Sequence, residues 1–246
     1  MSLLNFLQMA VYPSIVQQTK SLEELLSKMP KELIAAFGMD KLSMTEILGY
    51  YGSKSYSLLL LIGGIFSVIL FSSIFVKEKD EKTIEFLLSK PITVNQMITE
   101  KLAAGLLLIF IFNVIVSIVT YLSFEAYRDS ETYDIYVFIL LCAGSFILDL
   151  IFGAVGAFLS AFFSRGKTII STAIGVTLIS YFMAILASSS DKFERLKYIS
   201  PFKFVENVDI ILNKHLNSTY MIISVVTVVT LIILTYVIYN KRDIVS

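Results

Sequence analysis

Residues 161–168 nearly match the sequence pattern of a phosphate-binding loop. The stretch reads AFFSRGKT, and Gly166, Lys167 and Thr168 match the last three positions of the nucleotide-binding pattern G-x-x-x-x-G-K-[ST]. Ala161 stands where the first glycine belongs. A working loop also follows a β-strand, whereas this stretch lies between two long apolar runs. We therefore predict no nucleotide binding here, and a short basic turn between two helices instead.

Asp149 is the second candidate, because it is the one charged residue within a long apolar run. A carboxyl group in membrane hydrocarbon costs about 2.5 kcal/mol or more on insertion scales and usually faces protein or water. Asp149 lies on a helical face of small residues, which lets membrane helices approach closely. The members of that face are Cys142, Ser145, Gly153, Gly156 and Ser160. We expect Asp149 to face a packed helix or a cavity.

The expected hydrogen-bond partners of Asp149 are Ser145 on its own helix, or Asn113 or Ser117 on another. No basic residue lies within an apolar run to pair with it. Two interpretations stay open: a residue of a translocation path or proton-linked step, and a structural hydrogen bond between helices. We favour the structural one, because polar side chains also hold membrane helices together.

The other reactive residues do not form a site in the sequence. His215 is the single histidine, with no second ligand nearby, and Cys142, the single cysteine, supports neither a disulfide nor a metal site. No nucleophile–base pair stands out, so we predict no enzyme active site, no cofactor and no metal. The net charge is zero and gives no indication of nucleic-acid binding.

Five apolar runs are the elements that must position these residues. Of the 246 residues, 56% are hydrophobic and 16% are charged, whereas about a quarter of a soluble domain is charged. Each run has about 20 residues or more, enough to cross a membrane as a helix. The runs are residues 55–76, 102–124, 137–163, 168–187 and 220–239. The sequence predicts an all-α, polytopic helical membrane protein with a single transmembrane domain.

A sixth run, residues 2–16, is too short to span a membrane and contains Pro13, which would break or kink a helix. We interpret it as the C-terminal part of a first spanning helix whose beginning is missing from this sequence. Residues 17–54 then form a predicted outer loop with an amphipathic helix. Its apolar face consists of Leu22, Leu25, Leu26 and Met29.

Two long segments, residues 16–54 and 188–219, contain lysines, but long segments cross a membrane regardless of charge. The remaining basic residues, apart from one arginine, lie in loops on one side of the membrane. These loops are residues 77–101, the turn at 164–167 and the tail after residue 239. The short loop at residues 125–136, on the other side, has one arginine and four acids. Because basic loops stay inside, we predict a cytoplasmic C-terminus, with residues 188–219 outside.

Residues 77–101 are the most informative segment outside the runs. Asp80 suits the start of a helix, the apolar residues of TIEFLLSK form a short stripe, and Pro91 ends that helix. Thr93 and Gln96 have the spacing of a capping box, which predicts a new helix after Thr93. The short helix could lie on lipid headgroups or dock into a groove of a partner protein.

The stretch FVKEKDEKTIEFLLSKPITVNQMITEKL resembles the segment between the second and third spanning helices of type 2 ATP-binding-cassette (ABC) permeases. These bacterial export permeases, including the bacitracin-resistance and sodium-efflux types, read E-x-x-x-x-T-x-E-x-L-L-x-x-P-[IV]-[ST] and then K. The matching residues are Glu78, Thr83, Glu85, Leu87, Leu88, Pro91, Ile92, Thr93 and Lys101. Lys82 and Val94 depart from the common pattern. LKYISPFKFVENVDII, at residues 196–211, is similar to an outer stretch of the same family.

The resemblance implies a six-helix permease fold, here five complete helices and part of a truncated first one, in a bacterial cell membrane. It implies pairing with a second permease copy or a homologous permease, and two separate ATPase subunits per complex. Residues 82–90 would be the coupling helix that docks on the ATPase. Its implied contacts are Ile84, Phe86, Leu87 and Leu88, with Pro91 ending the segment.

The sequence leaves two alternatives to an exporter subunit. A non-transporting immunity or sensor protein would use residues 77–101 as a docking site. A stand-alone ion-coupled transporter is disfavoured, because Asp149 is the one ionisable side chain in the runs, and such transporters usually need coupling-site groups there.

Overall fold

The computed structural model describes residues 2–17, 34, 39, 41–81, 83, 92–128, 132–163, 166–189 and 191–241. Among these residues there is no β-strand, and the predicted all-α class is confirmed. The helices are α1 (Ser2–Ala10), α2 (Tyr12–Gln17), α3 (Ile47–Tyr50), α4 (Ser57–Asp80), α5 (Val94–Tyr127), α6 (Ile135–Ser160), α7 (Gly166–Ser189), α8 (Pro201–Phe204), α9 (Asn207–Asn213) and α10 (Ser218–Lys241). A π-helical turn, Tyr51–Tyr56, joins α3 to α4, and a 3-10 helix, Asp191–Tyr198, follows α7.

Five described helical stretches are long and apolar enough to cross a membrane, as the polytopic class requires. They are Ile47–Glu78, Val94–Tyr127, Ile135–Ser160, Gly166–Ser188 and Ser218–Lys241. The shorter apolar stretch Ser2–Val16 is broken at Val11, because Pro13 has no N–H to continue the helical hydrogen bonds.

The first long stretch begins at Ile47, eight residues before the predicted run at 55–76, so the last part of the predicted outer loop 17–54 is helical. The reason is burial: Tyr50, Tyr51 and Tyr56 are packed in the core. Hydropathy scales rank tyrosine and serine low, so the apolar run in the sequence begins later than the helical structure does. The amphipathic helix predicted around residues 22–29 lies outside the described residues.

The helix α6 is at the centre of the bundle. It packs most extensively against α4 and also contacts α10, α5 and α7, while α4 contacts α7 on its other side. By contrast, α5 and α10 leave long rows of apolar side chains exposed, including Ile118 and Ile222. An apolar helix surface of this kind is stable in contact with lipid or packed against another apolar surface.

Four lysines mark one end of the bundle, which we call the lysine-rich end: Lys77, Lys101, Lys167 and Lys241. Here α4 ends and α5 begins. Thr93 caps α5, because its hydroxyl accepts the Gln96 N–H at 3.2 Å and the Gln96 side chain accepts the Thr93 N–H at 2.9 Å. The predicted capping box is thereby confirmed.

At the opposite end, the chain after α7 folds back onto the bundle. Ser200 donates its hydroxyl to the Ser180 carbonyl at 2.7 Å, and the Asn207 side chain donates to the Gly52 carbonyl at 2.8 Å. The non-helical backbone of Val205 separates α8 from α9. Nearby, the Lys214 ammonium donates to Asp134, which holds the pKa of that carboxyl below its usual range.

Candidate functional site

Asp149 lies near the middle of α6, fully buried between three helices. The Asn113 amide of α5 donates to its Oδ2 at 2.8 Å, and the same amide donates to the Ile109 carbonyl at 3.1 Å. On the α4 side, a Cβ added to Gly63 would lie 2.8 Å from Asp149 Oδ1. The carboxyl therefore joins α6 to α5 by a hydrogen bond and to α4 by a close approach that a glycine permits.

The partner of Asp149 is Asn113, one of the three partners that the sequence suggested. Ser145 is buried one turn earlier on α6, and Ser117 approaches Cys142 instead. Asp149 Oδ1 and the buried Ser67 hydroxyl of α4 form no hydrogen bond of regular geometry within the described part of the chain, but Ser67 is close enough to act on the Asp149 carboxyl. The Asp149 carboxyl can therefore accept a further hydrogen bond at Oδ1.

Nothing around Asp149 forms a metal centre within the described residues. They contain no cluster of three or more histidine, cysteine, aspartate or glutamate side chains that could hold an ion. None of the ion pairs formed by these residues includes Asp149. The arrangement is an interhelical hydrogen bond from a neutral donor, the Asn113 amide, to the Asp149 carboxyl group.

The small residues of α6 lie where α4 and α10 approach. A Cβ at Gly156 would be 2.5 Å from the Val68 carbonyl oxygen, and a Cβ at Gly153 would be 2.9 Å from the Phe71 ring. Ser160 is also buried, and its hydroxyl lies 3.0 Å from the Tyr239 hydroxyl of α10. Gly156 lets the α4 backbone approach, Gly153 makes room for the Phe71 ring, and Ser160 contacts the end of α10.

Lys101 makes the densest set of polar contacts at the lysine-rich end. It lies two turns into α5 and pairs with Glu78, in the last turn of α4. Its ammonium also donates to the Ile74 carbonyl at 2.7 Å and lies 5.7 Å from the centre of the Phe75 ring. The side chain of Lys101 is only 11% exposed and that of Glu78 24%.

Sequence reasoning identified Glu78 and Lys101 only as positions of a family pattern and missed that they pair. A signal existed, because the two residues flank the turn of a predicted helical hairpin. Opposite charges at matched depths on the two arms of such a hairpin are within reach of each other.

Asp80 has a different role from the predicted one. It ends α4 instead of starting the next helix, and its Oδ1 accepts the N–H of Gly166 at 3.2 Å. This contact caps the N-terminus of α7, where the dipole favours a carboxylate. The P-loop-like residues Gly166 and Lys167 thus form the first turn of a membrane-length helix that follows α6 and not a strand.

The predicted ATPase contacts Ile84, Phe86, Leu87, Leu88 and Pro91 all lie outside the described residues. On either side of them, α4 ends at Asp80 and α5 begins at Val94. Both flanks lie at the lysine-rich end, where Glu78 and Lys101 join them.

The comparison with curated proteins finds no match. The comparison with protein families matches residues 2–244 to the family described as ABC-2 family transporter protein. That match covers nearly the whole chain and agrees with five membrane-length helices and with the pattern from Glu78 to Lys101. The chain therefore belongs to the ABC-2 transporter family, as a membrane permease of an ABC transporter.

Proposed function

We propose that this permease is the membrane subunit of an ABC exporter that is driven by a separate ATPase. Residues 82–90 act as the coupling helix, with Ile84, Phe86, Leu87 and Leu88 as its contacts. Two ATPase subunits and a second copy of the permease, or a homologous permease, complete the transporter. The lysine-rich end and the C-terminus face the cytoplasm of a bacterial cell.

The observation that carries this proposal is the position of the connection between α4 and α5. Residues 81–93 join two membrane-length helices at the lysine-rich end, and the ion pair of Lys101 with Glu78 ties these helices together. An apolar stripe on a short segment, presented at a basic membrane surface, suits docking into a groove of a soluble partner.

The charges of the short connections support the orientation. Lys77, Lys101, Lys167 and Lys241 are at the lysine-rich end, whereas residues 125–136, around the short connection between α5 and α6 at the opposite end, have one arginine and four acids. The longer segments at that opposite end also contain lysines, but long segments cross a membrane regardless of charge. By the positive-inside rule the lysine-rich end is cytoplasmic, which is the side where ATP is available.

We assign ATP hydrolysis to the partner, because the stretch of this chain that is most similar to a nucleotide site is already bound by a carboxylate of the same chain. The N–H of Gly166 binds the Asp80 carboxylate, so the start of α7 presents an acid where a phosphate-binding loop presents free donors. The exposed apolar rows of α5 and α10 are then assigned to lipid and to the second permease.

A pull-down from native membranes in mild detergent, followed by an ATP-hydrolysis assay, tests the proposal. We expect an ATPase to co-purify with the wild-type chain and to be lost from the Leu87→Asp/Leu88→Asp variant, because two carboxylates cannot enter an apolar groove without a large desolvation cost. The matched control is Phe193→Asp/Leu212→Asp, which places the same change on two exposed apolar residues at the opposite end.

The control variant is expected to retain the ATPase. If no ATPase co-purifies with the wild-type chain even after crosslinking, the exporter assignment is wrong and a sensor or immunity role takes its place. If both double variants lose the ATPase equally, residues 82–90 are not its specific docking site.

A further inference from the structure

We propose that Lys101 and Glu78 form a clamp that fixes the spacing of two arms, the helix ends on either side of residues 82–91, and that ATPase docking depends on this spacing. The arms are the end of α4, up to Asp80, and the start of α5, from Val94. The inference rests on the proposed function, since it assigns positioning residues to the coupling site.

The first argument is that, among the described residues, the polar partners of the Lys101 ammonium all belong to the last turns of α4. The ammonium pairs with Glu78 and donates to the carbonyl of Ile74, and it lies beside the Phe75 ring. A cation near the C-terminal carbonyls of a helix also interacts favourably with the helix dipole. One side chain of α5 therefore holds several groups of α4 at once.

The second argument is burial. Exposed ion pairs contribute little, because water and salt screen them. The side chains of Lys101 and Glu78 are 11% and 24% exposed, whereas the Lys197–Glu194 pair at the opposite end is 27% and 63% exposed. Removing one partner of a mostly buried pair leaves the other poorly solvated, so the clamp resists separation more than a surface pair does.

The third argument is that both arms are also joined to other helices at the same end. The Asn240 amide of α10 donates to the Asn95 side chain at 2.7 Å, and the Thr99 and Tyr236 hydroxyls lie 2.7 Å apart. On the other arm, Asp80 caps α7 through Gly166. Any displacement of the clamped arms is thus passed to α7 and α10.

A fixed spacing matters for docking because a preorganised segment loses less conformational freedom on binding. With the clamp, the two arms keep one separation. Without it, the separation of the arms varies, and only part of the population presents the docking surface.

The first test measures ATPase recovered per permease. We expect Lys101→Met to recover about fivefold less ATPase than wild type. Lys101→Arg should keep most of the recovery, since a guanidinium can donate to both Glu78 and the Ile74 carbonyl. Lys197→Met removes a lysine from the exposed pair at the opposite end and should recover wild-type amounts. Equal recovery with Lys101→Met and wild type would overturn the proposal.

The second test needs no ATPase and so separates this inference from the proposed function. Spin labels are attached at Glu81→Cys and Glu100→Cys, two exposed positions on the arms, after Cys142→Ala removes the only native cysteine. In lipid nanodiscs we expect a narrow distance distribution when Lys101 is retained or changed by Lys101→Arg, and a broad one in the Lys101→Met variant. An unchanged distribution in Lys101→Met contradicts the clamp, whether or not an ATPase is ever found.

Discussion

Replacing Asp149 with leucine is expected to destabilise the permease by about 2–4 kcal/mol. The substitution removes the acceptor at 2.8 Å from one N–H of the buried Asn113 amide, whose other bond is to the Ile109 carbonyl, and an unpaired buried donor costs about 1–3 kcal/mol. It also places a branched side chain where the carboxyl already lies against Gly63. Reversible unfolding in mixed detergent and SDS micelles measures the change.

Asp149→Asn is the matched control for that experiment. Asparagine has the size of aspartate and keeps a side-chain oxygen that accepts from Asn113, so its stability should stay within about 1 kcal/mol of wild type. If leucine is tolerated as well as asparagine, the hydrogen bond between α5 and α6 has no structural role. If asparagine preserves stability and assembly but abolishes ATP-dependent transport, Asp149 belongs to the translocation path.

The membrane-length helices could be predicted from the sequence because few backbone conformations are stable in the hydrocarbon of a membrane. A backbone without water must satisfy its own hydrogen bonds, so a run of about 20 apolar residues is a helix. The ends were less predictable. Helical structure already begins before α4, in the segment that contains Tyr50, Tyr51 and Tyr56. The burial of these tyrosines depends on neighbouring helices and not on their own hydropathy.

The contacts between helices could be predicted only as alternatives. Asn113, Ser117 and Ser145 were all reasonable partners of Asp149, and the choice depends on how α5 is rotated about its axis. A hydropathy pattern sets that rotation poorly when α5 is apolar on every side. The roles of Asp80 and Lys101 were missed for a related reason: their partners Gly166 and Glu78 are 86 and 23 residues away in the chain.

Helix packing also depends on how closely two backbones approach. A substitution of glycine by alanine is therefore expected to have opposite effects at two positions. Gly156→Ala is expected to destabilise the permease by about 1–3 kcal/mol, because overpacking a close contact forces the backbone to shift. Its added Cβ would lie 2.5 Å from the Val68 carbonyl oxygen and 3.1 Å from the Ser72 hydroxyl. The Ser72 hydroxyl can rotate away, but the Val68 carbonyl is backbone and cannot retreat without moving α4 away from α6, which would also disturb the site of Asp149 two turns earlier.

Gly175→Ala in α7 is the control, because nothing lies within 4 Å of the Cβ that it adds. Alanine favours helix over glycine by about 0.5–1 kcal/mol, so this variant should be as stable as wild type or more stable. Both variants gain the same helix propensity, and the difference between their unfolding free energies reports the α4–α6 contact alone. If the two variants are equally stable, Val68 and Gly156 are not in close contact, and the centre of the bundle is packed by the larger side chains around them.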